Sequence, residues 1–155
     1  MKLLNNIGIE KRNYTQKLLR ENTNTIFVFG DNAMRYGKKG QAVIRDEPNA
    51  FGIATKVKPS MRAESFFNDN LEEHRQIVLS DLRKLYSLAK RNPNIEIVFP
   101  FNGIGTGLSQ MPERCPKIFH EINNIIEVHF KITFPYSDTK RNNSCESPAL
   151  EQMFR

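Results

Sequence analysis

Three short apolar runs, Ile26–Gly30, Phe51–Thr55 and Ile95–Phe99, do most to restrict how this chain can fold. Each is rich in β-branched and aromatic residues and is followed by glycine or proline punctuation: Gly30 itself, Lys58-Pro59-Ser60 and Pro100. Their apolar residues are nearly consecutive rather than alternating, the pattern of strands covered by helices on both faces. Between and after them the period changes. Leu71, Val78, Leu82, Leu85 and Ala89 fall on one face of a helix predicted from about Leu71 to Arg91. Asn70 is placed to cap it, Glu73 to complete a capping box, and Asn92-Pro93 to stop it. Gln41–Arg45 and Tyr14–Arg20 predict two shorter helices. Pro112 stands where a first helical residue would, and Cys115, Phe119, Ile122 and Ile126 form a second apolar stripe. Finally, Val128, Phe130, Ile132 and Phe134 alternate with His129, Lys131 and Thr133, which predicts a last strand with one wetter face. Alternating strands and helices predict an α/β sheet with helices packed on its faces.

The 155 residues suit one domain. Residues 1–136 are assigned to it, and 137–155 to a polar tail from which Leu150, Met153 and Phe154 are expected to dock back. With 39% hydrophobic and 26% charged residues, the composition excludes a disordered chain. No apolar run approaches the roughly 20 residues of a membrane helix. Met1-Lys2-Leu3-Leu4-Asn5-Asn6 loses its apolar character too soon for a signal peptide, so a cytoplasmic location is expected. Two cysteines, Cys115 and Cys145, make no disulfide framework. The 23 Lys and Arg exceed the 17 acids by 6, a bias that suits nucleic acid, a nucleotide or a phosphate ester. Arg35, Lys38, Lys39, Arg45, Lys56, Lys58 and Arg62 concentrate in one third of the chain, although a solvated basic face accounts for them equally well.

Ligands of open α/β sheets bind beyond the carboxyl ends of strands, where two loops are unusual here. One runs from Gly30 to Gln41 and the other from Pro100 to Gln110. The second places Gly103, Gly105 and Gly107 between a strand and a helix, the makings of a backbone cradle for phosphate. Its spacing matches neither a dinucleotide fingerprint nor a P-loop, and tight bends alone are the competing explanation. In the first loop, Asn32 can hydrogen-bond sugar hydroxyls and Asp31 can order a water; an Asx-type turn is the equal alternative. His74, His120 and His129 make no metal motif, so neither metal nor cofactor is expected. Cys115 lies on a core stripe and reads as structural, and Ser109 lacks a nucleophile elbow.

Ile26–Asn32, then Gly37 and Gly40-Gln41-Ala42, then Glu47–Lys56, and later Gly103–Arg114 resemble small phage and bacterial macrodomain-like proteins, from about Thr15 to Ile126. The resemblance implies a three-layer α/β/α macrodomain-like fold with a central mixed sheet, binding ADP-ribose. Some members hydrolyse its derivatives. By this likeness Asn32 lies next to the distal ribose, and Gly103, Ile104, Gly105, Thr106, Gly107 and Leu108 wrap the diphosphate, flanked by Asn102 and Gly30. Asn13 falls where macrodomains commonly carry an adenine-reading aspartate. Lys38, Lys39, Gly40 and Gln41 replace a usual run of glycines, and two lysines there are expected to favour an extra phosphate, as in ADP-ribose 1″-phosphate. The expected function is metal-independent hydrolysis of an ADP-ribose derivative, as a 1″-phosphate phosphatase or an ADP-ribosyl hydrolase. Asn32 would orient the ribose, Asp31 position the water, Gln41 steady it, and Lys38 or Lys39 neutralise a leaving phosphate. A non-catalytic module that sequesters a nucleotide is the second reading. A basic nucleic-acid-binding domain ranks third, because no binding motif accompanies the charge. The likeness also points to a phage protein acting in a host bacterial cytoplasm.

Overall fold

The computed structural model describes residues 6–134. Strand β1 (Ile7–Glu10) leads through α1 (Gln16–Arg20) to β2 (Thr25–Asp31), then through a 3₁₀ turn (Gly40–Ile44) to β3 (Ala50–Ala54). A second 3₁₀ turn (Ala63–Ser65) precedes α2 (Glu72–Arg91), β4 (Glu96–Pro100), α3 (Met111–Arg114) and α4 (Pro116–His129). The strands form one sheet in the order β1-β4-β2-β3. All three pairings are parallel, with Ile9 opposite Phe99, Ile26 opposite Ile97, and Val28 opposite Phe51.

The reason the strand runs are apolar throughout lies in their two faces. Val28, Ile53, Ile97 and Phe99 pack in one core with Val78, Leu82 and Leu85 of α2 and Ile122 and Ile126 of α4. Phe27, Phe29 and Val98 pack in a second core with Leu18 and Leu19 of α1 and Ala42 and Ile44 of the 3₁₀ turn. Fully burying one such side chain contributes about 1.5–3 kcal/mol, so neither side of β2 is free to become polar.

Several expectations are corrected. The mixed sheet gives way to parallel pairings throughout the described strands, because each connection crosses over through helical structure instead of turning back as a hairpin. The predicted strand over Val128–Phe134 is the end of α4 followed by irregular chain, with Lys131 at φ 60°. Phe130, Ile132 and Phe134 are nevertheless buried while Lys131 and Thr133 are exposed, so the alternation recorded burial without pairing. The Asn70–Glu73 capping box does not form: Leu71 is the extended residue before α2, and Asn70 N–H instead donates to Asn68 Oδ1 at 2.8 Å. Pro112 belongs to the separate four-residue α3. The helix break at Cys115 (φ −147°, ψ 66°) follows from Pro116, whose ring disfavours a helical residue before it. β1, which carries Gly8 at its centre, was not expected. The tail 137–155, with Cys145, lies outside the described residues. Among those residues no helix is long and apolar enough to cross a membrane.

Candidate functional site

Parallel pairing puts the carboxyl ends of β2, β3 and β4 at one edge of the sheet, and the loops leaving them enclose a cleft of about 610 Å³. That volume is in the range of small-molecule sites. Gly30 to Asn32 and Tyr36 to Ala42 form one wall, Asn102, Gly105 and Gly107 to Ser109 another, and Thr55, Lys56, Pro59 and Ser60 complete it. The two loops singled out in the sequence therefore face a common space. Of the expected ligand residues, Gly30, Asp31, Asn32, Lys38, Lys39, Gly40, Gln41, Asn102, Gly105, Gly107 and Leu108 line it. Ile104 does not: it is a core residue packed with Met111 and Cys115. Gly103 and Thr106 are also outside the lining set, Thr106 Oγ1 donating to Asn102 O at 2.8 Å. Asn13 is exposed on the connection between β1 and α1 and is not part of the cleft.

Gln41 spans the gap between the loops. Its Oε1 accepts from Gly30 N–H at 2.8 Å, and its Nε2 donates to Gly103 O at 2.9 Å and to Asn102 Oδ1 at 3.2 Å. Two glycines of the second loop stand in different surroundings. Gly105 has φ +87°, and a Cβ there would lie 2.5 Å from Met111 Sδ, so the fold itself requires glycine. At Gly107, an exposed residue of the cleft lining, a Cβ would meet nothing within 4 Å, so the fold leaves room for a side chain there.

Asp31 is buried, and both its oxygens accept hydrogen bonds. Its Oδ1 accepts from Asn32 N–H at 2.7 Å and from Arg45 Nη2 at 2.5 Å, and its Oδ2 from Arg35 Nη1 at 3.4 Å. Arg35 also grips Asp81 of α2 at 2.8 and 2.7 Å, and Asp81 Oδ2 accepts from Ala54 N–H at 2.8 Å. Burial works against the Arg35 charge, but Asp81 and Asp31 outweigh it and hold the guanidinium above its ordinary pKa. Arg45 continues outward to Gly37 O at 2.8 Å and Tyr36 O at 3.3 Å. Asn32 makes the turn: Oδ1 accepts from Met34 N–H at 3.0 Å, and Nδ2 donates to Tyr36 O at 2.8 Å. The first loop is thus held from inside by Asn32 and from outside by two arginines.

The lysines differ. Lys38 is ion-paired with Asp46, both side chains being exposed. Lys39 has no ion-pair partner among the described residues. Lys56, which the sequence placed in a basic region and at the end of the Glu47–Lys56 run but gave no role in the site, is 5% exposed and lines the cleft. Its Nζ donates to Ser60 O at 2.9 Å and lies 4.4 Å from the centroid of the Phe66 ring, which Arg114 also covers at 4.0 Å. Burial, with a smaller effect from the Arg114 charge, lowers its pKa. The signal that could have found it is its place directly after the Phe51–Thr55 run, at a strand's carboxyl end. Among the described residues no three His, Cys, Asp or Glu side chains form a metal-holding group. Cys115 is fully buried, and burial followed by Asp69 pushes its thiol up to about 12, so it is no nucleophile.

No curated protein and no solved structure matches the chain. A family described as a family of unknown function (DUF7831) matches residues 9–125, which take in both loops and every other residue of the cleft. Over three quarters of its length, then, this chain belongs to that family.

Proposed function

We propose that the chain is a macrodomain-like protein that binds ADP-ribose or a derivative in this cleft and hydrolyses it without a metal. The helices on the two faces of the sheet are, in this reading, the outer layers of the three-layer fold. One observation carries it: two loops far apart in sequence, one glycine-rich and one bearing Asp31-Asn32, line one cleft of nucleotide size. Backbone N–H groups around Gly105 and Gly107 would meet the diphosphate, where their fixed dipoles favour negative charge. Asn32 and Asp31 would act through the loop they shape beside the distal ribose. Gln41 would set the separation of the two walls, and Lys39 would add to the positive field that draws an anionic ligand into the cleft.

A binding module without turnover is the second reading, and Asp31 favours it. Among the described residues it is the one carboxylate lining the cleft, and both its oxygens are committed to hydrogen bonds. A general base must reach the water it activates, and this buried carboxylate is instead held by the guanidinium groups of Arg35 and Arg45.

Calorimetric titration of the full chain with ADP-ribose and its 1″-phosphate, followed by product assay, decides between these readings. The expected result is one-to-one binding that Gly107→Val weakens at least about tenfold, because a branched side chain in the lining loop crowds the backbone N–H groups that would meet the diphosphate. That variant should keep its unfolding free energy within about 0.5 kcal/mol. Binding without product would select the second reading. A wild-type chain that binds neither nucleotide, or a Gly107→Val chain that binds as well as wild type, would refute the nucleotide cleft.

A further inference from the structure

The loop from Lys56 to Phe66 is closed on itself by an antiparallel bridge between these two residues, and Val57 N–H donates to Ser65 O at 2.7 Å. It forms the side of the cleft that neither sequence motif supplies. Within it, Ser65 is fully buried and its hydroxyl hydrogen-bonds that of Ser60, whose Oγ also accepts from Arg62 N–H at 3.3 Å, and Ser60 lines the cleft. The Lys56 ammonium has a carbonyl, an aromatic face and, at 3.7 Å, the Met61 sulfur as neighbours. Among the described residues no carboxylate pairs with it, and the cation sharing its aromatic ring is Arg114. A buried cation is costly unless an opposite charge accompanies it, and a cation–π contact offsets only part of that cost. The cleft therefore holds a cation whose counter-charge is not supplied by the described residues.

We propose that Lys56 and Ser60 form a second anion subsite of the cleft, separate from the glycine-rich loop, which takes the phosphate monoester end of a ligand. Lys56 supplies the charge and the Ser60 hydroxyl a directed donor. The identity of the ligand's other half rests on the ADP-ribose reading above; the subsite itself does not. A nucleotide's terminal phosphate and free orthophosphate share this chemistry, and the test separates them.

The full chain, labelled with ¹⁵N at its lysine ammonium groups, is titrated with orthophosphate while the side-chain resonances are followed by NMR; Lys56→Met assigns the Lys56 signal. Saturable movement of that signal is expected, with the exposed Lys117 unmoved. Phosphate affinity should fall at least about tenfold in Lys56→Met, about threefold in Ser60→Ala, and less than about threefold in Lys56→Arg. In the second arm, wild type should prefer ADP-ribose 1″-phosphate over ADP-ribose by about tenfold or more, and Lys56→Met should bind both alike. An unmoved Lys56 resonance, or a preference that survives in Lys56→Met, overturns the subsite while leaving the ADP-ribose reading intact. Movement with phosphate but no binding of either nucleotide upholds the subsite and removes that reading. If circular dichroism shows Lys56→Met to be unfolded, the wild-type titration and Ser60→Ala decide the matter.

Discussion

Cys115 shows how much a single residue's surroundings can say. Its thiol ionises near 9.0 when unhindered and near 12 in the fold, chiefly through burial. Because the folded value is the higher one, this thiol's contribution to stability is complete below pH 9 and is lost as pH rises toward 12. Urea midpoints should therefore fall between pH 8 and pH 10.5, and fall less in Cys115→Ala, which starts from a lower value because it leaves a cavity. Equal falls in the two proteins would show that another group governs the slope. The loop glycines make the complementary point. In the sequence Gly105 and Gly107 are equivalent; in the fold Met111 presses on one and nothing approaches the other. Asp31-Asn32 was likewise open between a ligand contact and a turn. What binds Asp31, a guanidinium shared with Asp81 fifty residues later, is a long-range fact that no local pattern encodes.

At the scale of elements, the three apolar runs were legible because each is compressed between two cores, and the double burial leaves a mark at every position. Helix ends were not, since capping here is not local. Asp69, which stands before α2 in the chain, accepts from Lys117 N–H at 3.0 Å and Ile118 N–H at 2.9 Å and so caps α4 from across the fold. Asp69→Ala should cost about 1 kcal/mol of stability, the usual worth of an N-cap, and hydrogen exchange should quicken first in the opening turn of α4. Unchanged protection of that turn would mean that the Cys115–Pro116 junction, and not the carboxylate, starts the helix. The false strand at Val128–Phe134 has the same origin: period two reports which side chains are covered, not what the backbone bonds to.

For the molecule as a whole, one chain of charges joins the cleft to the body of the fold. It runs from Arg45 through Asp31 and Arg35 to Asp81 on α2, and ends on the backbone of β3 at Ala54. Asp81→Ala removes a buried carboxylate with three hydrogen bonds and should destabilise the protein by about 2 kcal/mol, less than for a fully buried pair because Arg35 is partly in solvent. Protease cleavage between Met34 and Lys39 should rise by more than that global loss predicts; cleavage that merely tracks global stability would show that Asn32 alone holds the loop. The α/β class and the two facing loops were therefore readable from sequence, whereas the network and Lys56 required the fold. Gln41 carries a further consequence. Since one carboxamide ties Gly30 on one lip to Asn102 on the other, the width of the mouth is written in the length of a single side chain. A residue one methylene shorter at that position would have to let go of one lip, and the opening would lose its gauge even with every lining residue still in place.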